Sequence, residues 1–234
     1  TILISLKDLL VYYTLENSEK PITLKKYKEA MKEGQEFIYF ASGASKEAVL
    51  AMPQLDLLKK KGIDVLVLSE PVDEFAIMMM EEYDGVKFKS INQGDLDLID
   101  EEESKKIDEL KESKKDLLES IKTNLPEVKE VVLSKRLVDA PCCLSAGEGL
   151  SFEMERVLQQ QNPNRAIKAE RILEINPNHE VFYALEKAYE NDNDSVKKYA
   201  NVLYTQALLM EGILPSNPKE FANILCELMI NSVK

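Results

Sequence analysis

Three short apolar runs constrain the first half of this chain: "EFIYFAS" at 36–42, "IDVLVLS" at 63–69 and "VKFKSI" at 86–91. They are too short for ordinary helices and rich in β-branched and aromatic residues, so they read as strands. The first two are apolar at nearly every position, which buries both faces. Helix signals fill the gaps. Ser45 can cap a helix that places Ala48, Val49 and Met52 along one side. Pro53 opens another through about Lys61, which Gly62 ends. "EPVDEFAIMMMEEYDG" reads as a helix closed by Asp84-Gly85. Strand and helix thus alternate between residues 36 and 90. The pattern predicts a small α/β layer with a parallel sheet and right-handed crossovers. Upstream, Leu6, Leu9, Leu10 and Tyr13 recur at helical spacing over 4–14, and Thr23 can cap a helix through Met31 that Gly34 stops.

Beyond Gly94 the composition changes. "DLDLIDEEESKKIDELKESKKDLLES" is mostly charge of both signs, with Ile107, Leu110, Leu117, Leu118 and Ile121 at helical intervals. This predicts a loop to about Asp100 and one solvated amphipathic helix to about Thr123. Two strand-like runs follow, at 128–133 and 140–145, then a helix at 150–161, a strand near 169–175 and a helix after Pro177. Two more helices, 195–212 and 218–232, are joined by "LPSNP". The expected architecture is therefore α/β and α+β: a small α/β unit over 1–100, a connecting helix over 101–125, and an α+β domain over 126–234 ending in an antiparallel helix pair.

Bulk charge excludes some functions. A net charge of −12 argues against nucleic-acid binding through a basic surface. No apolar run is long enough to span a bilayer. The start "TILISLKDLL" lacks both a basic n-region and a cleavage site, so no signal peptide is expected. It begins almost inside a helix pattern without an initiator Met, and we expect a piece of a longer chain. Three cysteines, two of them adjacent, do not make a disulfide framework, and a reducing cytoplasm is expected. Neighbouring strand residues point to opposite faces, so Cys142 and Cys143 should place one thiol inward and one outward, with no shared metal.

Catalytic signatures are sparse. There is no phosphate loop with a lysine and no dinucleotide fingerprint. "ASGAS" at 41–45 lies between a strand and a helix, where an anion could sit, although small-residue turns are common there. His179 is the sole histidine and lies near the start of a helix, where a structural role is the commoner outcome. An autonomous α/β enzyme using Asp73, Glu74 or His179 is the rival reading.

Two apolar features stand out instead. Helix 195–212 carries Tyr199, Val202, Leu203, Gln206, Leu209 and Met210 on one stripe, and helix 218–232 carries Phe221, Ile224, Leu225, Leu228 and Met229. Two such stripes cannot bury only each other. They must dock on their own domain or form a four-helix contact with a second copy. Helix 150–161 carries Leu150, Met154, Val157 and Leu158 on one stripe and Phe152 off it, after the Gly-rich loop "SAGEG". That is more apolar surface than one packing face needs, and it suits adaptable protein binding, with core packing as the alternative.

At these residues the sequence resembles the 90-kDa heat-shock chaperone family. "VVLSKRLVDAPCCLSAGEGLSFEMERVLQQQ" resembles the opening of the family's C-terminal dimerisation domain. The blocks "SKEAV", "KKKGIDVL" and "PVDEF" resemble the end of its middle domain. "ILEINPNHEVFYAL" and "LYTQALLMEGILPSNPKEFANILCELM" match its final helices. The similarity runs in order over nearly the whole chain. It implies a homodimeric, ATP-driven, stress-response chaperone, of which this chain holds the end of the middle domain and the dimerisation domain. The nucleotide pocket would lie upstream of Thr1, so ATP and magnesium would serve the full-length protein, with no cofactor and no catalysis in this segment. The ending "MINSVK", without an acidic tail, suggests a bacterial-type member. By the same resemblance, Leu150, Phe152, Met154, Val157 and Leu158 would contact unfolded or partly folded clients. Residues Tyr199, Val202, Leu203, Gln206, Leu209, Met210, Phe221, Ile224, Leu225 and Leu228 would make the dimer.

Overall fold

The computed structural model describes residues 6–162, 167–191 and 193–232. It forms two compact units, Thr1–Gly94 with Glu148–Ala169, and Asp95–Gly147 with Glu170–Lys234. The division is not a single cut in the chain: the excursion between two strands of the second unit groups with the first.

The first unit holds six strands, β1 (Val11–Thr14), β2 (Ile22–Thr23), β3 (Phe37–Ser42), β4 (Leu66–Leu68), β5 (Glu82–Tyr83) and β6 (Val86–Ser90), in the order β2-β1-β4-β3-β6-β5. The central three, β4, β3 and β6, are parallel, as the alternation predicts. The flanking pairs are antiparallel, so the sheet is mixed. Tyr12, Ile38, Phe40, Leu66, Leu68 and Ile77 share one apolar core with Leu24 and Tyr27. Tyr39, Ala41 and Val67, alternating with these along β3 and β4, are buried as well. Both faces of the parallel strands are covered, which is why those runs are apolar throughout.

Helix α1 (Leu24–Ala30) is capped by Thr23, whose hydroxyl accepts from the Lys26 N–H, and ends at Met31, before Gly34. Ser45 caps the short helix α2 (Lys46–Leu50) through Ala48. Pro53–Leu55 makes a 3-10 turn into α3 (Asp56–Lys61), and Gly62 ends it in the left-handed conformation, φ 61°.

Two expectations fail here. Residues 11–14 form a strand rather than helix; positions 4 and 5 lie outside the described residues. "VYYT" is a β-branched and aromatic run whose Tyr12 reaches the core, so tertiary pairing overrides a helical spacing that four apolar residues can mimic. Helix α4 (Pro71–Met80) ends five residues before Gly85. Asp84 and Gly85, both at positive φ (47° and 78°), are the two-residue turn of the β5–β6 hairpin. "DG" there is a hairpin signal and not a helix stop.

In the second unit, α5 (Glu101–Ser113) starts at Asp100, whose carboxylate accepts from the Glu103 N–H at 2.8 Å. The expected single helix to Thr123 is broken at Lys114, where φ −110° and ψ 15° leave the helical region, and α6 (Lys115–Thr123) follows. Leu117, Leu118 and Ile121 of α6 are buried, as is Ile107 of α5. Strands β7 (Val128–Leu133), β8 (Cys142–Ala146) and β9 (Arg171–Ile175) are ordered β7-β9-β8, parallel in the first pair and antiparallel in the second. Helices α8 (Glu180–Asn191), α9 (Asn193–Met210) and α10 (Pro218–Asn231) complete this unit, and α9 packs on β8. Between β8 and β9 lies α7 (Phe152–Gln161), which packs on α4 of the first unit's set.

Candidate functional site

The helix pair α9–α10 divides into a docked side and an open side. On α9, Val196, Ala200, Leu203 and Ala207 recur at helical spacing and are buried, with Tyr204 and Leu208 beside them. Tyr204 donates to Glu127 Oε2 at 3.2 Å, and the Cys142 thiol donates to the Leu203 carbonyl at 3.3 Å. Leu203, expected on the dimer stripe, is therefore buried against its own unit. Tyr199, Val202 and Met210 are half-buried, while Gln206 and Leu209 are exposed. Gly212, at φ 70°, turns the chain: the Ile213 N–H bonds the Leu208 carbonyl and the Gly212 N–H bonds that of Leu209. Asn217 then caps α10 through Glu220, and Lys198 pairs with Glu227 across the two helices at 2.6 Å.

Helix α10 is amphipathic, yet none of its residues is buried. Phe221, Ile224, Leu225 and Leu228 are half-buried, and Met229 and Ile230 are 70% and 56% exposed. Leu214, in the connecting turn, is also open. Sequence reasoning missed Leu214 and Ile230. For Ile230 the signal was present, since apolar residues continue around α10 beyond one stripe.

Helix α7 is built unlike its sequence pattern. Ser151 caps it, accepting from the Met154 N–H at 3.0 Å. Of the five residues expected to meet clients only Val157 is buried, while Leu150, Phe152, Met154 and Leu158 are half-exposed. The inward positions belong to Glu153 and Glu155, each 6% exposed. Glu155 Oε2 accepts from the Ala169 N–H at 2.7 Å, and its other oxygen accepts from Gln159 at 3.1 Å. Glu153 is paired with Arg156 in two contacts, one of them from Nε at 2.9 Å. Buried carboxylates satisfied in this way hold the helix by polar contacts and leave its apolar side chains partly open.

The remaining candidates take structural roles. Gly43 of "ASGAS" lies so close to Val49 Cγ2 that an added Cβ would sit 2.9 Å away, so the small residue serves packing. His179 Nδ1 accepts from the Val181 N–H at 3.1 Å and so helps start α8. Cys142 and Cys143 are both buried, correcting the expectation of one outward thiol. They are neighbours on β8, and both are covered: the Cys142 thiol meets the Leu203 carbonyl of α9, and Cys143 lies opposite Glu174 of β9. Burial pushes the Cys142 thiol up to about 12 and raises that of Cys143 as well. Among the described residues no group of three or more His, Cys, Asp or Glu stands together to hold a metal, and no helix is long and apolar enough to cross a membrane.

Among the described residues, apolar side chains of α7, α9 and α10 are left partly open. The family profile described as Hsp90 protein matches residues 4–234, and the chain belongs to that family. Similar relatives carry the name chaperone protein HtpG. That of Shouchella clausii is 43% identical over 226 residues, covering 96% of this chain. That of Bacillus subtilis is 42% identical over 226 residues and that of Clostridium acetobutylicum 45%, again over 96% of this chain. The chain spans about 36% of the length of these curated relatives.

Proposed function

We propose that this chain is the homodimerising and client-contacting part of an ATP-dependent molecular chaperone. The observation that carries the reading is α10, an amphipathic helix with no buried residue. Two copies would pair α9 and α10 as a four-helix bundle. Tyr199, Val202, Gln206, Leu209 and Met210 would meet Phe221, Ile224, Leu225 and Leu228, with Leu203 supporting them from below. Joining two arms this way raises the effective concentration of whatever each arm carries. ATP and magnesium belong, in this reading, to another part of the longer protein, and this segment does no catalysis. The protein works in the cytoplasm, on unfolded or partly folded proteins, without nucleic acid or membrane.

Clients would be held by the half-exposed Leu150, Phe152, Met154 and Leu158, with Val157 anchoring the helix. What supports this is their partial exposure on a helix whose docking is done by carboxylates.

Sedimentation tests the first claim. The chain should be a dimer at micromolar concentration, and Leu225→Glu should weaken association by about thirtyfold or more. A monomer at high micromolar concentration overturns it. For the second claim, Met154→Ser with Leu158→Ser should reduce suppression of client aggregation while the dimer persists. Unchanged suppression removes α7 from the client surface.

A further inference from the structure

Glu74 lies on the inner side of α4, one turn before Ile77, and is 3% exposed. The Ser42 hydroxyl, at the end of β3, and the Ser151 hydroxyl, at the cap of α7, lie near enough to the carboxyl to favour its charged form. Its second oxygen, Oε2, is buried and has no hydrogen-bond partner. The charged group acting on it from α7 is the carboxylate of Glu153, whose own partner is Arg156. From β3 it meets the neutral Ser42 hydroxyl. On its own helix stand Asp73 and Glu70, which close the capping box of α4. A carboxylate placed here leaves one oxygen desolvated and a like charge nearby, whereas a carboxylic acid in the same place carries no net charge to desolvate.

We propose that Glu74 is a proton-operated latch for α7: protonated, it holds the cap of that helix on α4, and ionised, it loosens it. The helix concerned is the one assigned above to client contact, but the inference rests on the α4–α7 junction and not on that role.

Burial raises the Glu74 pKa first, and Glu153 adds to the rise. The docked state therefore binds the proton more tightly than the released state. Docking is strongest below the ordinary glutamate value and is lost progressively as pH rises through the raised value. Within that window one proton is lost per opening, so the opening constant should rise by up to about tenfold per pH unit. Above the raised value the curve should flatten.

Hydrogen exchange of the α7 amides, corrected for intrinsic rates and followed from pH 4.5 to 8, reads this directly. Protection should fall with rising pH in α7, while the β3 amides change little. Glu74→Gln, neutral and nearly isosteric, should make the α7 curve flat. Glu153→Gln removes the like charge that helps raise the docked-state value, so the curve should flatten at a lower pH; it also keeps the test available if the Glu74 variant folds poorly. A flat α7 curve in the parent chain, an unchanged slope in Glu74→Gln, or an unmoved plateau in Glu153→Gln overturns the latch.

Discussion

Glu174 shows how much one buried side chain can demand of its neighbours. It sits on β9 and accepts from the Ser134 hydroxyl at 2.8 Å and from Arg136 Nε at 3.1 Å, with both charged residues almost fully buried. Removing one member leaves the other's buried charge without its countercharge. Arg136→Met should cost about 3–5 kcal/mol in urea unfolding, and pairing it with Glu174→Met should recover part of that loss, because an apolar pair carries no desolvated charge. Cysteine reactivity is set by burial at the same scale. A low-salt thiol titration of the native chain should modify Cys226, while Cys142 and Cys143 should react only in denaturant, since burial suppresses their thiolates.

Among the elements, the caps were legible in the sequence. Thr23, Ser45 and Gly62 do what their positions imply, because capping depends on three or four neighbouring residues. The β5–β6 turn was misplaced, because Asp-Gly can end a helix or turn a hairpin, and only the strand that β5 pairs with distinguishes the two. Gly85 tests the assignment. Nothing lies within 4 Å of a Cβ added there, so Gly85→Ala should cost about 1–2 kcal/mol, through its positive φ alone. The strand at 11–14 was illegible for a related reason. Its partners, β2 and β4, are supplied by residues 22–23 and 66–67, and the second pairing is remote in sequence.

For the whole molecule, the proposed association would join faces that carry few charges. Isothermal calorimetry should give a negative heat-capacity change on dimerisation, and the dissociation constant should respond weakly to salt. A steep salt dependence would mean that pairs such as Lys198–Glu227 are exchanged between copies instead of made within one. The two-unit division matters at this scale too. The excursion Glu148–Ala169 leaves a sheet whose flanking strands β8 and β9 pair directly, so the sheet closes without it.

Periodicity and composition by themselves determined the α/β alternation, the central strands, the ending helix pair and the helical state of 152–161. These follow from local spacing, which the chain carries in every window of a few residues. Which face of each helix turns inward was decided only by tertiary structure. On α9 the small residues Ala200 and Ala207 take the docked side, because close approach to β8 favours them and leaves Leu209 outside. On α7 the apolar pattern suggested an apolar docking face, yet Glu153 and Glu155 point inward. The remote partners that satisfy them, above all the Ala169 N–H, make burial of a carboxylate tolerable, and local spacing cannot announce them.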